Sequence, residues 1–418
     1  HFGNRLEFFV DLLAVWSLGG SVVPIDARLT PYEVETLART AAPRFSIFDG
    51  EPDEELSRAL TGLGVGLLDT AGLETAGGGE ARAAAAQWTP VLDDDALVLF
   101  TSGTTGDPKG VVHTHRSMRA RWTGLRQALG SETFHRTLCL LPTHFGHGLI
   151  CNCLYPWLSG QDLYILPPFK PDLLLGLGKL IDEHAITFMS SVPPVWRLAL
   201  KMARPPEMAS LRRVFCGSAP LSASLWRDVQ RWCGTDSVLN SYGITETGSW
   251  LAGTTVVDAE PEDGLIGEAW GGVIKVLDRE DSEAAPGTGA ECAIGEPGNV
   301  WVNTPALMKG YLGRDDLTRE VVRHGWFLTG DIGAVDERGH LYLRGREREE
   351  INKGGMKIHP ADVDSVIEQF EGVTDVCTFA REDEFLGEDV GVALVVERDH
   401  TCLRHDLFNW TRERLASH

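Results

Sequence analysis

The stretch Thr101-Ser102-Gly103-Thr104-Thr105-Gly106-Asp107-Pro108-Lys109-Gly110 decides how this chain is read. It lies between an apolar run at 96–100, suited to a buried strand, and a second run, Val111-Val112. Glycines let the backbone come close to a polyanion. Hydroxyls and amide N–H groups donate to phosphate oxygens, and Lys109 adds a movable positive charge. A Walker A loop ends in Gly-Lys-Ser/Thr, whereas Lys109 is followed by Gly110. Clusters of Gly, Ser and Thr between apolar runs are ordinarily plain loops. The density of donors around one lysine points here to a phosphate-binding loop of another kind.

Outward from this loop, apolar runs at 21–25, 44–48, 96–100, 138–141, 163–166, 186–189, 214–216 and 238–239 alternate with helical patterns. That alternation predicts α/β layers with largely parallel sheets. Near the start, Leu6, Phe9, Val10 and Leu13 fall at i, i+3, i+4 and i+7, predicting a helical face that ends at Gly19-Gly20. Residues 70–87 read as an Ala- and Gly-rich surface loop, and 284–298 as turns in a β-rich part. Past Gly345 the run 346–357 is charged and glycine-containing, as an exposed linker is. Val363, Val366, Ile367 and Phe370 then share a helical face, and 373–380 and 391–396 read as strands. The fold class expected is α/β. A large N-terminal domain of layered sheets and helices, with a β-rich part, spans 1–345. A small, mobile α+β C-terminal domain spans 346–418.

The 418 residues exceed the roughly 250–300 at which single cores stop growing. Lys plus Arg number 38 against 60 Asp plus Glu, a net charge of −22 that argues against nucleic acid as a partner. Eight cysteines in so long a chain do not form a disulfide pattern, and Cys151 and Cys153 miss CxxC spacing by one residue. Free thiols in a reducing cytosol are expected. No apolar run approaches 18 residues and no signal peptide opens the sequence, so a cytoplasmic protein without a membrane partner is expected.

Further motifs follow the loop in order: Gly217-Ser218-Ala219-Pro220-Leu221, then residues 240–248 (NSYGITETG), Thr329-Gly330-Asp331, and Gly345-Arg346. With these in this order the chain resembles the adenylate-forming superfamily: acyl-CoA ligases, nonribosomal peptide adenylation domains and luciferases. The resemblance runs from near residue 4 to the end. The segment Pro142-Thr143-His144-Phe145-Gly146-His147-Gly148 lacks the Phe-Asp pair with which amino-acid-activating domains hold an α-amino group. The resemblance is therefore nearest to the acyl-CoA ligase branch, and the substrate tilts toward an acid without an α-ammonium.

The resemblance implies a division of labour. Thr101, Ser102, Gly103, Thr104, Thr105 and Lys109 would hold the β- and γ-phosphates of ATP. Asn240 and the backbone of Gly217, Ser218 and Ala219 would frame the adenine, and Tyr242 would stack on it. Thr245 would contact the α-phosphate and Glu246 would hold Mg²⁺. Asp331 would accept both ribose hydroxyls, with Arg346 donating to the same ribose. His144 and Phe145, with Gly217 and Gly243, would line the pocket for a small-molecule carboxylic acid. His144 and His147 also have HxxH spacing, but no carboxylate or cysteine completes a zinc set.

The implied reaction makes an acyl-adenylate and passes the acyl group to the thiol of coenzyme A. Two alternatives are a carrier-protein phosphopantetheine as acceptor and a non-catalytic nucleotide-binding homologue. Glu349 occupies the family's pivot position, where Asp or Lys is common. The family's opening elements, and the Gly-Lys motif expected after Val396, are not in these residues, so both domains are expected to be incomplete, with the lysine on a further tail.

Overall fold

Strands β3 (Asp95–Thr101) and β4 (Lys109–Thr114) pair antiparallel, with Thr101 opposite Lys109. The phosphate-type loop is thus the turn of a hairpin whose strands are buried from Ala96 to Leu99 and at Val111. A third strand, β14 (Gly310–Tyr311), adds to the far edge of β4. The computed structural model describes residues 4–70, 91–101, 108–255, 260–279, 285–353, 356–383, 387–397 and 404–414. Ser102, Gly103, Thr104 and Thr105, and most of the 70–87 loop, lie outside these residues.

The principal sheet has twelve strands. One half runs β6 (Asp162–Ile165), β5 (Arg136–Cys139), β7 (Phe188–Ser191), β8 (Arg213–Gly217) and β9 (Val238–Ile244), all parallel. Helices Pro193–Met202 and Ala223–Cys233 cross between these strands and cover them with Trp196, Trp226 and Trp232. Central strands buried on both faces are continuous apolar runs, so these were readable from sequence.

The other half is antiparallel. From β9 the order continues through β10 (Ser249–Gly253), β11 (Leu265–Ala269), β17 (Leu341–Arg346), β16 (Trp326–Val335), β13 (Gly298–Asn303) and β12 (Val273–Leu277), with β15 (Val322–Arg323) paired to β16. The expectation of largely parallel sheets therefore fails for this half and for the β3–β4 hairpin. Short turns can join only antiparallel neighbours. At the β16–β17 turn the Asp336 carboxylate accepts from the amides of Arg338 and His340, both at 2.8 Å. A separate parallel pair, β1 (Phe45–Phe48) with β2 (Gly66–Asp69), packs under its own small core.

Two further readings are corrected. Helix Leu6–Ser17 forms, but it buries Phe8, Phe9 and Leu12, while Leu6 and Val10 are 71% and 65% exposed. Trp16 donates its indole N–H to the Ala96 carbonyl at 2.7 Å, which turns the other stripe toward β3. The run at 21–25 is no strand; Val22 makes a single bridge to Leu97.

The last sheet orders β19 (Met356–Ile358), β18 (Ile351–Lys353), β21 (Gly387–Val396) and β20 (Val373–Asp383), backed by Val363 and Ile367 of helix Pro360–Ile367. The stretch entering it is less exposed than its charge suggests, because Glu350 and Ile351 are buried. Arg279 donates to both Glu350 oxygens at 3.0 and 2.6 Å, and His359 Nε2 lies 3.8 Å away. Breaking a buried pair strands a desolvated charge at a loss of about 3–5 kcal/mol. Arg279→Met is accordingly expected to lower the unfolding free energy by about 3 kcal/mol in urea denaturation, with loss within experimental error of wild type as the contrary result.

Candidate active site

Strand β9 ends in the one-turn 3₁₀ helix Thr245–Thr247, and that turn is the centre of the site. Each of its three carbonyls accepts from a distant group. His113 Nε2 reaches the Thr245 oxygen at 2.7 Å, and the Met308 amide reaches that of Glu246 at 2.7 Å. Arg121 gives two N–H groups to Thr247 at 3.0 and 2.8 Å and a third to Trp270 at 2.7 Å. Because a carbonyl can only accept, the His113 proton sits on Nε2. Burial, joined by the charge of Arg121 and opposed by the Thr245 carbonyl, pushes His113 down to about 4. Burial brings Arg121 down to about 10, which leaves it charged at neutral pH.

His113 belongs to β4 and Arg121 to the helix His115–Leu129, which follows the phosphate-type hairpin directly. The hairpin and the turn are therefore one unit. Lys109 begins β4, and its ammonium lies 5.5 Å from the centre of the Tyr311 ring. The Tyr311 hydroxyl donates to Glu246 Oε1 at 2.8 Å. Lys109 and Glu246, assigned by the resemblance to the phosphates and the metal, thus both meet one tyrosine, the first over its ring and the second at its hydroxyl.

Next to this unit lies a cavity of about 580 Å³. Ser218, Ala219, Asn240, Tyr242, Gly243, Asp331 and Arg346 all line it. Asp331 is 5% exposed. It accepts from the Tyr242 hydroxyl on one oxygen, and Arg346 Nε lies 3.2 Å from the other. Burial pushes the Asp331 carboxyl up, and Arg346 and the Tyr242 hydrogen bond oppose it. The Tyr242 phenol is raised well above its ordinary range, by burial first and then by the Asp331 charge. Asn240 spends its side-chain N–H on the Leu265 carbonyl at 2.9 Å, tying β9 to β11.

Gly217 and Gly243 have a steric reason to be glycine. A Cβ on Gly217 would sit 2.2 Å from the Ser241 carbonyl oxygen, and one on Gly243 would sit 2.3 Å from that of Ser249. Ser218 follows in the left-handed region at φ 65°.

His144 and His147 diverge. His144 Nε2 lies 3.5 Å from Asp26, while Phe145 is 39% exposed. His147 is buried, with Nδ1 2.9 Å from the Ser218 hydroxyl and Nε2 2.6 Å from that of Ser190. Burial pushes His147 down to about 3. It links the expected acyl-lining segment to the adenine motif.

Sequence reading does not single out His113, Arg121 or Tyr311, and it weighs His147 only as half of an HxxH pair within the expected acyl-lining segment. Arg121 alone carried a signal: it sits on the buried stripe of its helix with Ser117, Gly124 and Leu125, where an arginine needs partners.

The donor set suits a hard cation. Among the described residues no three His, Cys, Asp or Glu gather into a metal site. A lone carboxylate such as Glu246 fits an ion that takes most of its oxygens from phosphates and water, as Mg²⁺ does.

The chain belongs to the family of AMP-binding enzymes, whose model matches residues 1–312. Within it the similarity is to acyl-CoA ligases. A feruloyl-CoA synthase from Amycolatopsis sp is 30% identical over 424 residues, covering 99% of this chain and 81% of that protein. The long-chain-fatty-acid–CoA ligase FadD13 of Mycobacterium tuberculosis is 28% identical, covering 99% and 80%. Among solved structures, ATP-bound MatB from Rhodopseudomonas palustris superimposes with a TM-score of 0.84 at 26% identity, covering 99% of this chain and 81% of that one. Bacillus subtilis o-succinylbenzoate-CoA synthetase with ATP and magnesium gives 0.82 at 25% identity, covering 99% and 82%. No helix among the described residues is long and apolar enough to cross a membrane.

The two buried histidines give a pH signature. Both are neutral in the folded chain and take up a proton near 6.5 once unfolded, so stability should fall as pH drops below 6.5, toward about 4 for His113 and about 3 for His147. In urea titrations between pH 4 and 6.5, His113→Gln should flatten this dependence by about one proton. An unchanged slope would mean that His113 is not held neutral.

Proposed function

We propose that this enzyme activates a carboxylic acid lacking an α-ammonium group as its acyl-adenylate, using ATP and Mg²⁺, and transfers the acyl group to coenzyme A. The observation that carries the reading is the buried Asp331 carboxylate, set beside Arg346 and Tyr242 in the same cavity as Ser218, Ala219 and Gly243. An ionised carboxylate has about four lone-pair positions. With one oxygen serving Tyr242 and the other facing Arg346, each can still accept a ribose hydroxyl.

In the first half-reaction a carboxylate oxygen attacks the α-phosphorus, the bond to the β-phosphate bridge breaks, and pyrophosphate leaves with the electron pair. In the second, the thiol sulfur attacks the acyl carbonyl, AMP leaves with its electron pair, and the thiol proton passes to solvent. Bound at Glu246, Mg²⁺ would offset charge on the phosphate oxygens. Lys109 is available to the β- and γ-phosphates, and Thr245 to the α-phosphate. Both steps rest on positioning and electrostatics rather than on a protein nucleophile. The relatives described above are named for coenzyme A as the thiol, which supports it over a carrier protein.

Pyrophosphate release across a panel of aromatic, aliphatic and dicarboxylic acids tests the reaction and finds the acid. Glu246→Gln and Asp331→Asn should each cut release by about 10²-fold or more, the loss expected for a positioned electrostatic contact. Near wild-type rates from both would sink the assignment.

We further propose that residues 346–418 act as a separate unit pivoting at Glu349, which lines the cavity at the end of the 3₁₀ turn Glu347–Glu349. A proline there restricts the backbone torsion a pivot needs. Glu349→Pro should therefore spare acyl-adenylate formation more than thioester transfer. An equal fall in both would put the pivot elsewhere.

A further inference from the structure

Residues 308–312 touch both halves of the phosphate and metal machinery. The Met308 amide holds the Glu246 carbonyl at 2.7 Å. The Lys309 amide bonds Val112 at 2.8 Å and the Leu312 amide bonds Gly110 at 2.7 Å, so β14 is laced onto β4 directly behind Lys109. This backbone register fixes Tyr311 opposite Val111, and the residue is 7% exposed. Its amide is further fixed by the Thr318 hydroxyl at 2.9 Å. The ring has little freedom, and it meets two opposite charges: its face meets the Lys109 ammonium, and its hydroxyl donates to Glu246 Oε1.

We propose that Tyr311 is a positioning residue for adenylation: its hydroxyl occupies Oε1 of Glu246 and so presents Oε2 to the metal, while its ring sets the approach of Lys109 to the phosphates. This rests on the reading of Glu246 as the Mg²⁺ ligand. The physical reason is geometric. A carboxylate on a single turn can rotate about its terminal bond and offer a metal either oxygen or both. A donor fixed on one oxygen holds the carboxylate plane and weakens that oxygen as a ligand, which biases an ion that demands near-ideal octahedral geometry toward the other. The same ring provides a π-face beside which the Lys109 ammonium rests while its N–H groups remain able to donate to phosphate oxygens.

The two contacts can be separated by substitution. Tyr311→Phe keeps the ring beside Lys109 and removes only the hydrogen bond to Glu246. Tyr311→Leu removes both. Binding of α,β-methylene-ATP, followed by calorimetry with Mn²⁺ and again in EDTA, gives the factor by which metal tightens the nucleotide, without turnover.

Tyr311→Phe is expected to reduce that factor about tenfold, the lower end for loss of a ligand's supporting hydrogen bond, with affinity in EDTA unchanged. Tyr311→Leu should show the same reduction and, in addition, bind about two- to fivefold more weakly in EDTA, as for a lost cation–π contact. Equal weakening of Tyr311→Phe with and without metal would reduce Tyr311 to packing and overturn the proposal. So would a metal factor within twofold of wild type in Tyr311→Phe when Glu246→Gln loses it. If Glu246→Gln itself keeps the wild-type factor, the metal lies elsewhere, and the reading of Glu246 falls along with the role of Tyr311.

Discussion

Three successive carbonyls, those of Thr245, Glu246 and Thr247, are each gripped by a donor from elsewhere in the chain, and the geometry of the site depends on that grip. A single 3₁₀ turn has few internal hydrogen bonds and little stiffness of its own. Here the stiffness is imported from β4, the helix after it, and residue 308. Two of the donors, His113 and Arg121, are fully buried, so their bonds are protected from competition with water. The buried arginine is tolerable because three of its N–H groups end on carbonyl oxygens. A charge in the core is thereby used to hold backbone rather than another side chain.

That grip ties the β3–β4 hairpin to the end of β9. Lys109 and Glu246, of opposite charge, both contact Tyr311, one over its ring and the other at its hydroxyl. The neighbouring cavity follows the same logic, with Asp331 held by a phenol and a half-exposed guanidinium that leave its oxygens open for further donors. On a chain of net charge −22, Lys109 at the hairpin and Arg346 in the neighbouring cavity are cations beside the proposed nucleotide site.

Much of this was legible in the sequence. The parallel strands were visible as short apolar runs, because burial on both faces leaves no alternation to misread. The motif residues Asn240, Tyr242, Gly243, Asp331 and Arg346 are named as site candidates by the ordered motifs that carry the family resemblance, and the structure brings them to one cavity. Where the sequence misled, a distant contact had decided the matter. The first helix turned its other stripe inward once Trp16 bonded the Ala96 carbonyl. Glu350, one acid among several in a charged run, is the buried one because Arg279 lies opposite.

The sequence by itself determined the local chemistry: a donor-rich loop around Lys109, the Thr245-Glu246 turn, and strand identity through apolar runs. Each depends on residues a few positions apart, which is the range over which composition and periodicity carry information. Only the tertiary structure decided which side chains aim the machinery. The separations are 132 residues for His113 and Thr245, 126 for Arg121 and Thr247, 89 for Tyr242 and Asp331, and 65 for Tyr311 and Glu246. Nothing near His113 or Tyr311 in the chain specifies its partner; the β3–β4–β14 sheet, set against the turn that ends β9, brings them within hydrogen-bond reach.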